Sequence, residues 1–160
     1  MLALLYLGVH TMPRAWGKLN TDFPNYYLAA RIAHEGSDTG RLNEWVWLQR
    51  EKDHRALDAR IIGLFPITPF STLVMWPLTG LAPLTAKHVW LLVNLALLVP
   101  LCWLLRALTG LPYRRIALVF ALSFPLHRNL LYGQFYLFLL LLVVAGCWAY
   151  LREYYVLAGA

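Results

Sequence analysis

The stretch Leu130–Leu151, LLYGQFYLFLLLLVVAGCWAYL, carries no charged residue over 22 positions. A helix of that length crosses the roughly 30 Å of hydrocarbon in a bilayer. Tyr132 and Tyr136 stand near one end and Trp148 and Tyr150 near the other, as aromatic belts do at the two membrane interfaces. The rest of the chain agrees with bilayer as its solvent. Of its residues 60% are hydrophobic and 14% charged, where a soluble domain holds about 25% charged. Mean hydropathy is +0.55. So few charges leave apolar surface that water does not cover without aggregation.

Working outward, Val89–Leu105 is the next apolar run, flanked by His88 and Arg106 and interrupted by Pro100. Neighbouring helices tolerate such a kink. Membrane helices are expected at about 66–86, 88–106, 114–128 and 130–151. The first holds Pro69, Pro77, Gly80 and Pro83 and reads as broken or tilted; the third is short. Residues 1–12 form an apolar stub of roughly 18 Å as a helix, too short to span. Together with the small-residue run after Arg152, it is the basis for expecting a truncated chain.

The segment 13–65 is polar and holds seven of the eight acidic residues and eight of the fourteen basic ones. Ionisable chemistry therefore concentrates here. Asp22 is placed to cap a helix from Phe23, with Pro24 in its first turn and Gly36 as its stop. A second helix is expected over Leu42–Arg55, its two tryptophans suiting a membrane interface. Cys102 and Cys147 lie in apolar runs and read as small hydrophobes. His34, His54 and His88 show no metal-ligand spacing. The net charge of +6 fits anionic lipid; with no groove-entering motif or basic repeat, no nucleic acid partner is expected. A P-loop and a Rossmann glycine signature are missing, which removes support for a nucleotide-sugar or ATP-driven reading.

Several motifs share an order. Asp22-Phe23-Pro24-Asn25-Tyr26-Tyr27 with Ala29-Ala30-Arg31 comes first, then Trp45-Val46-Trp47-Leu48-Gln49-Arg50. Phe65-Pro66-Ile67-Thr68-Pro69-Phe70 and Trp76-Pro77-Leu78 come next, then Ala86-Lys87-His88-Val89-Trp90 with Asn94, and last Pro125 with Gly133-Gln134. In this series the chain resembles glycosyltransferase family 87, membrane enzymes of the GT-C fold. Thr68 and Phe135-Tyr136 depart from the family, which often has proline and asparagine there. The resemblance implies an all-α, polytopic membrane helical bundle with a helical first extramembrane loop. It also implies that this is the N-terminal part of a chain with many more membrane helices.

The function the resemblance implies is inverting transfer of a hexose, mannose first among them, from a polyprenyl-phosphate sugar to a glycolipid or glycan acceptor, with membrane lipids as surroundings. It implies no cofactor and no metal. Asp22 is the catalytic base expected from the family, with helix capping as the alternative read from its position. Tyr26, Tyr27, Arg31, Gln49, His127 and Gln134 are the substrate-binding candidates. An interfacial anchor is the plainer alternative for Tyr26, Tyr27 and Arg31, and a helix end for His127 and Gln134. A transporter or flippase is a second class, as is a non-catalytic scaffold; transporters place ionisable groups inside spanning helices, where this chain has almost none, Asn94 being the main polar residue there. If the four apolar segments alternate, the side that loop 13–65 lies on holds twelve basic residues, the loop's own eight included, against two. The positive-inside rule then puts it in the cytoplasm. The family fold puts it outside a bacterial inner membrane, and that is the expectation kept.

Overall fold

The computed structural model describes residues 5–19, 22–58 and 68–159. Residues 1–4 of the stub, the end of the polar loop at 59–65, and Pro66-Ile67 of the proline motif lie outside the described residues. Every regular element among those described is helical.

The chain opens with a π turn, Leu7–Thr11, running into helix α1, Met12–Gly17. Pro13 explains the widening. It has no N–H for the carbonyl four residues back, and its ring crowds that carbonyl. The Met12 N–H reaches Leu7 instead, a π bulge that lets the helix continue. The stub therefore runs on to Gly17 rather than ending at residue 12.

Helix α2, Phe23–His34, has Pro24 in its first turn and ends before Gly36 at φ +70°. A 3-10 turn, Thr39–Arg41, leads to α3, Trp45–His54, which is shorter than Leu42–Arg55. Only Leu48 of α3 is buried, while Trp45 and Val46 are exposed. An ion-pair chain fastens α2 to α3. Arg31 Nε donates to Glu35 at 3.2 Å, Glu35 accepts from Arg55 at 2.6–2.8 Å, and Arg55 also pairs with Glu51. Burial alone pushes the Glu35 carboxyl up, but the hydrogen bonds and charges of Arg55 and Arg31 outweigh it and hold the group below the usual carboxylate range.

Helix α4, Pro69–Met75, is capped by Thr68, whose Oγ1 accepts from the Ser71 N–H at 3.3 Å. The expected helix over 66–86 is not one element. After α4 come a 3-10 turn, Trp76–Leu78, and a bend at Gly80, and α5 starts at Pro83. Pro77 and Pro83 each lack the donor a continuous helix needs. Seven residues reach only about 10 Å, so α4 does not span. Helix α5, Pro83–Thr109, is 27 residues long, begins five residues before the expected 88, and passes through Pro100. Among the described residues it is the one helix long and apolar enough to cross a membrane. Its stop is Gly110, at φ +71°.

The return path is α6, Tyr113–Leu122, then α7, Phe124–Tyr132, with Ser123 ending one and capping the other. This breaks the expected helix 114–128. Pro125 has no N–H for the Ala121 carbonyl, and His127 Nε2 donates to that carbonyl at 3.0 Å. Helix α7 then takes the first residues of the apolar run Leu130–Leu151. Gly133, at φ +68°, stops it, and α8 covers only Tyr136–Leu151. A short α9, Tyr155–Gly159, packs back on α8.

Two clusters hold the molecule together. One joins α2, α4, the start of α5 and Phe135; the other joins α1, α5, α7 and α8. Outward residues such as Leu92, Val99, Trp103, Val119 and Val143 remain exposed, a surface suited to lipid. Because α4 does not cross, the sides of the chain also change. Lys87 Nζ donates to the Lys18 carbonyl, His88 stacks on Trp16 at 3.8 Å, and Trp90 Nε1 donates to the Gly133 carbonyl at 3.0 Å. The start of α5 and the α7–α8 turn thus sit beside the polar loop. Arg106 lies over Tyr113 at 4.6 Å, Trp103 meets Trp148 at 5.8 Å, and Arg152 lies over Trp148. These residues, with Arg114 and Arg115 at the start of α6, mark the opposite end. The alternation that put twelve basic residues on the loop's side is therefore corrected.

Candidate active site

The α7–α8 turn is tightly held. Asn129 is buried at the end of α7, and its Nδ2 donates to Asn94 Oδ1 at 2.8 Å. Asn94 Nδ2 donates in turn to the Trp90 carbonyl at 2.9 Å. The Asn129 Oδ1 accepts from the Leu137 N–H, and the Asn129 carbonyl from the Gln134 N–H at 3.0 Å. Three helices are pinned by one buried amide pair, and buried amides held this way rigidify the elements they join. Gly133 lies against Phe23; a Cβ on it would stand 2.8 Å from the Phe23 Cβ.

That turn presents Gln134 to the start of α2. Gln134 Nε2 donates to Asp22 Oδ2 at 2.6 Å. Asp22 occupies the N-cap position of α2, but its side chain makes no capping hydrogen bond. The backbone does that work: the Asp22 carbonyl accepts from the Asn25 N–H at 3.0 Å and from Asn25 Nδ2 at 3.2 Å. The carboxylate is thus half-buried, held by an amide 112 residues away, with capping set aside as its explanation.

Tyr26 stands beside it. Its ring meets Phe135 edge-on at 4.4 Å. Burial pushes its hydroxyl well above the ordinary tyrosine value, and the negative charge of Asp22 and the nearby Tyr136 add to this. The hydroxyl stays protonated and can donate a hydrogen bond. Asp22 and Gln134 are in contact, Tyr26 lies close enough to feel the Asp22 charge, and the Tyr26 ring packs on Phe135, whose ring lies 4.9 Å from that of Trp90. Tyr136, Asn129 and Trp90 were not among the expected site residues. The Gly133-Gln134 pair was the available signal, since a left-handed glycine at a helix end sets the direction of the next residue.

The other candidates lie elsewhere. Tyr27 is 1% exposed, and its hydroxyl donates to the Leu81 carbonyl at 2.7 Å. It belongs to the core and has no face to offer a sugar. Arg31 is tied to Glu35 in the ion-pair chain. Gln49 is half-buried on α3. His127 sits on α7 with both ring nitrogens engaged. Nε2 donates to the Ala121 carbonyl, and Nδ1 lies 2.8 Å from the Thr11 hydroxyl. His127 thereby latches α7 to the π turn before α1. It borders a cavity of about 720 Å³ that Tyr6, His10, Arg14 and Arg128 also line. Among the described residues, no three of His, Cys, Asp and Glu gather as a metal site would need.

The model of glycosyltransferase family 87 matches residues 65–160. His127 and Gln134 fall inside that stretch, and Asp22, Tyr26, Tyr27, Arg31 and Gln49 precede it. No curated protein and no solved structure matches the chain.

Proposed function

The chain belongs to glycosyltransferase family 87, and on that premise we propose that it transfers a hexose, mannose first among the candidates, from a polyprenyl-phosphate sugar to a lipid-linked or glycan acceptor with inversion. The observation that supports this most is the Asp22 carboxylate, half-buried, relieved of capping and held by Gln134. In the proposed reaction the acceptor hydroxyl attacks the anomeric carbon while Asp22 takes its proton. The bond from that carbon to the phosphate oxygen breaks, and its electron pair leaves with the polyprenyl phosphate. Tyr26, protonated beside Asp22, is suited to hydrogen-bond a sugar oxygen, and Gln134 to fix the carboxylate.

The test is transfer of radiolabelled sugar from a polyprenyl-phosphate donor in membranes holding the intact protein, with a chelator present because the resemblance implies no metal. Labelled lipid-linked product is the expected result. Movement of the donor across the membrane without transfer would overturn the reading in favour of a transporter.

The same reading puts the polar loop outside the cytoplasm of a bacterial cell. Support comes from the charges at the far end. Arg106, Arg114, Arg115 and Arg152 flank short connections there, while the Gly133–Phe135 turn beside the loop carries no charge. The positive-inside rule counts short loops. With Cys102 and Cys147 replaced by Ser, an impermeant thiol reagent on intact cells is expected to label Thr39→Cys and spare Thr109→Cys. The reverse pattern would place the loop in the cytoplasm and remove the proposed orientation.

A further inference from the structure

Asn94 is the main polar residue of the apolar run in α5, and sugar transfer as described above makes no use of it. It is fully buried, as is Asn129 opposite it on α7. Backbone groups at either end dictate which way the two amides face. Trp90, one turn before Asn94, offers a carbonyl, which only accepts. Asn94 Nδ2 donates to it at 2.9 Å. Asn94 therefore turns Oδ1 toward α7, where it accepts from Asn129 Nδ2 at 2.8 Å. That leaves Asn129 Oδ1 for the Leu137 N–H. Leu137 is the second residue of α8, so its N–H has no acceptor within its own helix. The amide pair thus runs in one direction, from a carbonyl of α5 to the N-terminal turn of α8.

The same residues bracket Gln134. Trp90 Nε1 holds the Gly133 carbonyl at 3.0 Å, and the Asn129 carbonyl holds the Gln134 N–H at 3.0 Å. The Asn129 side chain holds Leu137, three residues on. Between these fixed points the Gln134 amide meets Asp22 Oδ2 at 2.6 Å. Stability alone does not call for this pair. Two apolar side chains of the same shape in place of both hydrogen-bonding partners are nearly neutral. What they lack is direction, since a satisfied buried amide pair specifies one arrangement of the elements it joins.

We propose that Asn94 and Asn129 are positioning residues of the transfer reaction, acting through Gln134 by fixing the turn that sets its amide on the Asp22 carboxylate. The proposal rests on the reading of Asp22 as the base and deepens it. It also gives the polar residue inside the spanning helix a task other than transport, because both its amide oxygen and its amide nitrogen are engaged within the protein.

The experiment follows kcat and KM for sugar transfer in the intact enzyme. Asn129→Leu should lower kcat about tenfold, as Gln134→Ala does, with KM held. Added to Gln134→Ala, it should lower kcat by less than about twofold, since residues acting through one contact are not additive. An equal loss in both backgrounds overturns the proposal. Asn94→Leu with Asn129→Leu leaves neither amide facing an apolar partner. Its unfolding midpoint should exceed that of either single variant while kcat stays low. Recovery of kcat along with stability would show a merely structural pair and overturn the proposal as well. A second measurement does not depend on transfer. With Cys102 and Cys147 replaced by Ser, a short bifunctional methanethiosulfonate should bridge Asp22→Cys to Gln134→Cys, and adding Asn129→Leu should slow the bridging several-fold. If wild type transfers sugar while Asn129→Leu changes neither kcat nor bridging, the positioning role fails and the transferase reading stands. If wild type transfers no sugar, the transferase reading fails, and the bridging rate alone decides whether the amide pair sets Gln134 on Asp22.

Discussion

Asp22→Asn in the intact enzyme is expected to lower sugar transfer by about 10²–10⁴-fold, the contribution of a positioned general base, with membrane insertion unchanged. The substitution is nearly isosteric. Its side-chain oxygen still accepts from Gln134 Nε2, so the contact at 2.6 Å survives while the proton acceptor is lost. Asp22→Ala should be at least as inactive. The structure separates this from a helix defect. A true cap would tolerate Asn, among the best N-cap residues, and Ala would cost about 1 kcal/mol of stability. Here the α2 N-terminus is served by the Asp22 carbonyl and Asn25, and the carboxylate makes no cap bond. Both variants should therefore unfold close to wild type. Gln134→Ala should reduce turnover by about tenfold, as loss of a hydrogen bond to a charged group does, through kcat rather than KM. An Asn variant that turns over at the wild-type rate would remove Asp22 as the base.

Legibility in the sequence depended on how local each signal was. The limits of α2 were readable because Pro24 and Gly36 act within a few residues of where they stand, and the structure has α2 at Phe23–His34 although the Asp22 side chain does not cap it. The apolar runs misled. Counting 22 uncharged residues in Leu130–Leu151 says nothing of backbone conformation. Gly133 at φ +68° divides that run between α7 and α8. The same holds for 66–86, where Pro77 and Pro83 outweighed hydropathy and moved the crossing into α5. That one shift reassigned the side of every later charge. The meeting of Asp22 with Gln134, 112 residues on, leaves no trace in spacing or periodicity. Only the resemblance brought the two residues together. Tyr27 and His127 show the converse. Each is a polar aromatic named as a binding candidate, yet the carbonyls of Leu81 and Ala121 take their donors.

Gly133→Ala is expected to destabilise the protein by about 2–5 kcal/mol, combining the strain of a left-handed non-glycine with overpacking of the core. Two faults act at once. At φ +68° an alanine is strained whatever surrounds it, and its Cβ would stand 2.8 Å from the Phe23 Cβ, backed by the ring at 3.4–3.5 Å. Phe23 is fully buried at the head of α2 and has no room to withdraw. The turn cannot simply slide, since the Gly133 carbonyl accepts from Trp90 and the Gln134 N–H is bound by Asn129. Relief must come from moving Gln134 or Asp22, so activity should fall together with stability. Gly110→Ala separates the two faults. Gly110 has φ +71° but nothing within 4 Å of its Cβ position, so it should show the backbone strain alone, about 1 kcal/mol. The second alanine of Phe23→Ala with Gly133→Ala should cost less than it does in the wild-type background, because the clash is gone. Unfolding midpoints in detergent measure all three. If Gly133→Ala were no worse than Gly110→Ala, α2 and the α7–α8 turn would not approach this closely. Phe23 would then no longer set the distance at which Gln134 meets Asp22.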